Sequence, residues 1–241
     1  GNMFQAALEM LDSGGHAALV TIVSAEGFVP VSAAGKLLVT SAGTLVGRSG
    51  SDVLDADIRA EALRLMATGR HSPRQLRVLE KDAVASGWYR QWTVELLIES
   101  LQEQGHELLR ALVALENTGH RGTLGTILTE HVQYPAGRRT CLVCDDGTMV
   151  GSLGEARLEA MVQQRGQEVL LDERGVIEDY HAEDGSTLRL LLEPILPTPI
   201  LSVFGGGHIV SPLVRAATLA GFRVRVIDDD PAFANPERFP D

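Results

Sequence analysis

The chain has 241 residues, of which 44% are hydrophobic and 22% charged, and its formal net charge is −11. This is the composition of a soluble globular protein of one to two domains with room for a sizeable core. The acidic balance argues against nucleic acid or an anionic membrane as partner, since either needs a basic face, and no run approaches 18 apolar residues, so the cytoplasm is the expected compartment.

Met3 to Leu11 places Phe4, Ala7, Leu8 and Leu11 on one helical face and closes at Ser13-Gly14-Gly15. Residues 18–23 read as a strand, 36–40 as another, and Ser41-Ala42-Gly43-Thr44 as the turn after it. A helix is expected from about Asp52 to Ala67, then a less regular stretch, then a closing strand over Trp92 to Glu99.

The same order then returns. Residues 109–115 read as a helix, and Asn117-Thr118-Gly119 falls on Asp12-Ser13-Gly14 at an offset of 105. At that offset Thr126-Ile127-Leu128-Thr129 falls on the first strand. At 104, Leu142-Val143 falls on Leu38-Val39, Gly147-Thr148 on Gly43-Thr44, and Glu159 on Asp55. The closing strand Thr187 to Glu193 repeats Thr93 to Glu99 at an offset of 94. Two similar α+β halves are therefore expected to pack about a pseudo-twofold axis. Cys141 and Cys144 lie within a strand-like run, where alternation sends them to opposite faces, and they read as ordinary packing cysteines. The prolines of Glu193 to Pro199 suggest an extended linker.

Beyond it, the apolar run Pro199 to Phe204 ends in Gly205-Gly206-Gly207-His208 and passes into a helical pattern. Gly221 stops that helix, and Phe222 to Ile227 is a second strand ending at Asp228. This is the order of a dinucleotide-binding unit, with Val210 where a third glycine would stand. In it Gly205 allows the turn, and Gly206 and Gly207 line it. Gly207 lets a pyrophosphate approach, His208 is a candidate phosphate donor, and Asp228 is a candidate ribose acceptor. NAD(P) or another nucleotide is the ligand implied. A plain βαβ unit without ligand remains the alternative. Two strands and one helix are fewer than a mononucleotide-binding half requires, so the unit reads as the N-terminal part of a Rossmann-like domain. The fold expected is α/β: a duplicated α+β region, with repeats at residues 3–106 and 107–196, followed by a partial Rossmann-like βαβ unit at 197–241. Exposed strand edges in that unit lead to the expectation of a homodimer or of docking on the chain's own N-terminal lobe. No catalytic set and no metal site is identifiable from spacing.

Two places resemble the XdhC/CoxI proteins associated with xanthine and carbon monoxide dehydrogenases. One is Val203-Phe204-Gly205-Gly206-Gly207-His208 with Gly221-Phe222-Arg223-Val224, Ile227-Asp228-Asp229-Asp230-Pro231 and Pro236-Glu237-Arg238-Phe239-Pro240. The other is Val23 through Asp55, which follows the family's GSTPR, GAKMLV and triple-glycine-glutamate pattern. The resemblance implies a cytoplasmic maturation factor that handles molybdenum cofactor for a molybdenum hydroxylase client of the xanthine or carbon monoxide dehydrogenase type. It implies a binding protein more than a turnover enzyme. Where the family has GSTPR this chain has Gly27-Phe28-Val29-Pro30-Val31, and where it has three glycines this chain has Gly50-Ser51-Asp52. The N-terminal half is thus poorly equipped to grip an anionic pterin. A nicotinamide-dependent oxidoreductase and a scaffold without ligand are the competing readings.

Overall fold

The computed structural model describes residues 3–26, 35–68, 72–81, 89–101, 106–129 and 139–239. The first half comprises α1 (Met3–Asp12), β1 (Ala17–Glu26), β2 (Lys36–Thr40), β3 (Leu45–Val46), α2 (Asp52–Thr68), β4 (Ser72–Lys81) and β5 (Tyr89–Leu101). The second comprises α3 (His106–Thr118), β6 (Gly122–Ile127), β7 (Thr140–Cys144), β8 (Met149–Ser152), α4 (Ala156–Asp172), β9 (Val176–His181) and β10 (Thr187–Ile195). Each half forms one antiparallel sheet of five strands, ordered β3-β2-β1-β5-β4 in the first and β8-β7-β6-β10-β9 in the second. Strand for strand the two orders are the same, as the sequence offset requires.

The tight turns repeat as well. Gly43 adopts φ +79° and donates to the Thr40 carbonyl at 2.8 Å, and Gly147 adopts φ +84° and donates to the Cys144 carbonyl at 3.0 Å. A positive φ is open to glycine without steric penalty, which fixes the residue type at both turns.

One face of each sheet is covered by its own long helix. In the first half Leu54, Ile58, Ala62 and Leu65 of α2 pack on Ala18, Val20, Ile22, Val39, Trp92, Val94 and Ile98. In the second, Leu158, Val162 and Val169 of α4 pack on Ile127, Cys141, Leu188, Leu190 and Leu192. Cys141 belongs to this core, whereas Cys144 packs on the opposite side of β7, as alternation requires. Burial pushes the Cys141 thiol up to about 12, so it packs as a small apolar group.

The other faces of the two sheets meet each other. Val23, Leu97, Leu128 and Leu191 form a closed cluster between them. Val23 and Leu128 are counterparts in the duplication, and so are Leu97 and Leu191, so an approximate twofold axis runs through this cluster. At one end α1 and α3, also counterparts, join Phe4, Ala7, Leu8 and Leu11 with Leu109, Leu112, Val113 and Leu115. The result is four layers: α2, sheet, sheet, α4. Among the described residues no helix is long and apolar enough to cross a membrane.

Polar groups also meet near the axis. Glu95 and Arg189, counterparts at an offset of 94, form a salt bridge at 2.5 Å, and the Ser24 hydroxyl donates to Glu95 at 3.1 Å. Lys36 of the first half reaches Glu193 of the second at 2.7 Å, with both side chains buried, and donates to the Thr21 hydroxyl at 2.8 Å. The mirror arrangement is weaker. Thr140 stands where Lys36 would be repeated, and its hydroxyl lies 3.4 Å from Glu99.

Three expectations from sequence are corrected. The stretch after α2 carries the strand β4, paired along its whole length with β5. It is an edge strand whose polar residues, Arg74, Gln75, Arg77, Glu80 and Lys81 among them, hide the apolar alternation. The strand expected at 126–129 instead starts at Gly122. Gly125 looks like a turn residue, yet it sits mid-strand because Val162 of α4 presses on it, 3.0 Å from where a Cβ would lie. Finally, Glu193, Pro194 and Ile195 are part of β10 and pair with β6, so the linker is shorter than the prolines suggest. Pro194 is tolerated there because β9 has already ended opposite Leu192, leaving that side of β10 without a partner strand.

The chain then forms β11 (Ile200–Phe204), α5 (Val210–Leu219) and β12 (Arg223–Ile227), a parallel βαβ unit. Docking of this unit on the N-terminal lobe is not what the structure shows. Among the described residues none of its elements packs extensively on the two halves, and Ile200, Phe204, Ile209, Leu213, Leu219, Phe222 and Ile227 are exposed.

The half-compensated Glu99 gives a test. Burial pushes its carboxyl up, against the pull of Lys36 and Arg139 and with the neighbouring Glu193 adding to the rise. A carboxyl whose pKa is raised by folding is tolerated when protonated and destabilises the fold as pH climbs through its folded value. Glu99→Gln is therefore expected to raise the melting temperature at pH 7. That gain should fade as pH falls toward about 4, where the unfolded chain is protonated too. Thermal melts of both proteins across this range check the sign.

Candidate functional site

The site is built where β11 gives way to α5. Five parallel pairs, from Ile200 with Arg223 to Phe204 with Ile227, hold the two strands in register. The Gly205 amide adds one more bond, to the Ile227 carbonyl at 2.8 Å, and the chain then turns with Gly205 at φ +94°. Pro212 is accepted in the first turn of α5, where its missing N–H has no intrahelical acceptor to satisfy.

The structure brings all five sequence-predicted residues to this corner and gives them different tasks. Gly206 is buried, and a Cβ there would lie 2.2 Å from the Phe233 carbonyl oxygen. Its amide donates to Asp228 Oδ2 at 2.6 Å, while Asp228 Oδ1 accepts from the Asp230 amide at 2.9 Å. The amides of Asp230 and Gly206 hold the Asp228 carboxyl below its ordinary range, so it is an anion at neutral pH. It stays at the surface, and each oxygen retains a lone pair for a ligand. Gly207 is exposed, with nothing within 4 Å of where its Cβ would be. Its carbonyl accepts from Val210 at 3.1 Å. The amides of Gly207, His208 and Ile209 find no acceptor among the described residues and stand at the positive end of α5. His208 is exposed beside them.

Sequence reasoning missed the cover over this turn. Residues 228–239 fold back across it through local bonds: Phe233 N to the Asp230 carbonyl at 2.9 Å, and Asn235 Nδ2 to the Pro231 carbonyl at 2.9 Å. Arg238 lies 5.4 Å from the ring centres of both Phe233 and Phe239 and locks the segment. The signal available in sequence was the pair of turn-forming dipeptides, Asp230-Pro231 and Asn235-Pro236, between aromatic residues.

The other loop of interest precedes α2. Asp55 accepts from the Ser49 amide at 2.8 Å and pairs with Arg48 Nε at 2.8 Å, and Arg48 also pairs with Asp52. In the second half Glu159 accepts from the Leu153 amide at 2.9 Å in the equivalent place. The acid at this position closes its own loop in both copies. The Gly50 loop is thus held by its own carboxylates, with Arg48 exposed at its edge. The segment that replaces GSTPR lies outside the described residues.

These features define a class: a duplicated α/β protein that ends in a Rossmann-type βαβ unit. The sequence profile of the XdhC and CoxI family matches residues 10–78 and 115–181, one segment in each half. That of the XdhC Rossmann domain matches residues 201–241. The chain belongs to the XdhC and CoxI family. Among solved structures, the crystal structure of a xanthine dehydrogenase from Bacillus halodurans matches with a TM-score of 0.74 at 16% identity. The match covers 100% of this chain and 66% of that one, and at this identity the likeness is one of fold. No curated protein matches.

The geometry separates the glycines experimentally. Gly206→Ala drives a methyl into the Phe233 backbone, and a destabilisation of about 1–3 kcal/mol, typical of overpacking, is expected. Gly207→Ala is expected to change stability by no more than about 0.5 kcal/mol, since the new methyl meets nothing. Denaturant melts of the two variants decide it.

Proposed function

We propose that this protein is an accessory factor that assists the maturation or insertion of molybdenum cofactor in a molybdenum hydroxylase of the xanthine dehydrogenase type. The observation that carries the reading is the joint presence, in one chain, of both family segments and the family's Rossmann domain. In this reading the cofactor is cargo and the client enzyme does the chemistry. The glycine turn is the phosphate-binding element, because the free amides of residues 207–209 and the open face of Gly207 fit an anionic group. Asp228 beside the turn favours a ribose-bearing ligand there, and a nicotinamide-dependent oxidoreductase is the second reading that this one observation favours.

One experiment separates the two. The protein is purified from a molybdopterin-producing host, analysed by mass spectrometry, and added to cofactor-free xanthine dehydrogenase. Co-purifying pterin with a rise in hydroxylase activity is the expected result. Absence of pterin, together with substrate-dependent reduction of NAD(P), would replace the first reading by the second.

A further inference from the structure

A cavity of about 550 Å³ opens between the two halves. Its volume falls in the range of about 300–1,000 Å³ usual for small-molecule sites. Phe4, Ile195 and Leu196 give it apolar walls. Charged side chains line it as well. The carboxylates of Glu116, Glu173 and Glu193 stand against the cations of Lys36 and Arg174, so the lining is one positive charge short of balance.

These groups differ in what they already bind. On the inner wall Lys36 and Glu193 are nearly buried, at 8% and 3% side-chain exposure. Glu193 Oε2 accepts from Lys36 at 2.7 Å, whereas Oε1 finds no partner among the described residues. Oε1 is not fully sealed, so its remaining access falls at the cavity that Glu193 lines. A carboxylate oxygen withdrawn from water without a donor is costly, and a ligand that brings one relieves the cost. Glu116 already interacts within the chain. Glu173 and Arg174, just past α4, are exposed and have no hydrogen bond or ion pair among the described residues. Glu173 ends α4 at φ +51°, the only non-glycine at positive φ among the described residues. Glycine is the usual residue in that left-handed position. The chain thus accepts local strain there and keeps a free carboxylate at the rim of the cavity.

We infer that this cavity binds a guanidinium cation carried on an aliphatic stem. The guanidinium N–H groups donate to Glu193 Oε1 and supply the positive charge that the lining lacks, while the stem lies along Ile195 and Leu196. Guanidinium fits better than ammonium because Glu193 is nearly buried, and the more weakly hydrated cation leaves water more readily. The stem can end as a simple alkyl chain or as an α-amino acid. In the second case the α-ammonium faces Glu173 and the α-carboxylate faces Arg174 at the rim. The acidic excess works against an anionic cargo, so this site is separate from the role proposed for the glycine turn. It does not rest on the reading of the protein as an accessory factor.

Calorimetric titration of the full chain with two matched pairs tests the inference: butylguanidine against butylurea, and arginine against citrulline. Within each pair the shape is kept and the cationic guanidinium becomes a neutral urea. The expected result is one site per chain, with the guanidinium compound of at least one pair binding about tenfold or more tightly than its urea. The tighter of butylguanidine and arginine identifies the source, a simple guanidine or an amino acid. Replacing the ion pair with apolar residues, Lys36→Met together with Glu193→Leu, avoids leaving a lone buried charge and is expected to keep the fold while abolishing binding. Less than tenfold discrimination in both pairs, no binding of either guanidinium compound, or undiminished binding by a folded double variant would each overturn the inference. The paired comparisons use the parent protein, so they stand even if the double variant does not fold.

Discussion

Everything N-terminal to the glycine turn depends on one constraint: residues near an approximate twofold axis meet their own copies. For apolar side chains this is easily met, and Leu97 against Leu191 is a plain leucine contact. Each such burial contributes about 1.5–3 kcal/mol. For charged side chains it is a problem, because a glutamate at the axis would face a glutamate. The two copies have diverged at that point, so that Glu95 meets Arg189. A second divergence places Lys36 opposite Glu193 but leaves Thr140 opposite Glu99. The first departure keeps two glutamates from meeting at the axis, whereas the second leaves Glu99 without the lysine that Glu193 has.

The C-terminal unit is organised by different means. Its two strands alternate between exposed and half-covered positions, and α5 buries little beyond Val210 and Ala217. Burial alone gives such a small unit little to hold it. What fixes the turn is local: the Gly206 amide on Asp228, the Phe233 backbone against Gly206, and Arg238 across two phenylalanine rings. Asp228 therefore has a structural task, closing the turn, alongside any task toward a ligand. Among the described residues nothing meets a Cβ placed on Gly207, which sets it apart from Gly205, held at positive φ, and from Gly206 against Phe233.

The acid before each long helix illustrates how a motif residue can be structural. Asp55 and Glu159 bind the loop amides that precede α2 and α4, and they do so in both halves although the loop sequences differ. Retention of the acid in both copies follows from the need to satisfy a buried amide.

The sequence by itself determined the duplication, most of its elements and the strand-turn-helix-strand order at the C-terminus, because periodicity, glycine positions and constant offsets are local properties. The turns at Gly43 and Gly147 were legible for that reason, and so was the grouping of Gly205–Gly207 with Asp228. What sequence could not carry were effects set by neighbours distant in the chain. Strand β4 was hidden because an edge strand needs polar residues, and β6 because Gly125 serves close approach by α4. Pro194 stays in a strand because β9 has ended beside it. The ion pair of Lys36 with Glu193 joins residues more than half the chain apart, and no local pattern announces it. Only packing of the two sheets face to face decides which charged side chains leave water together.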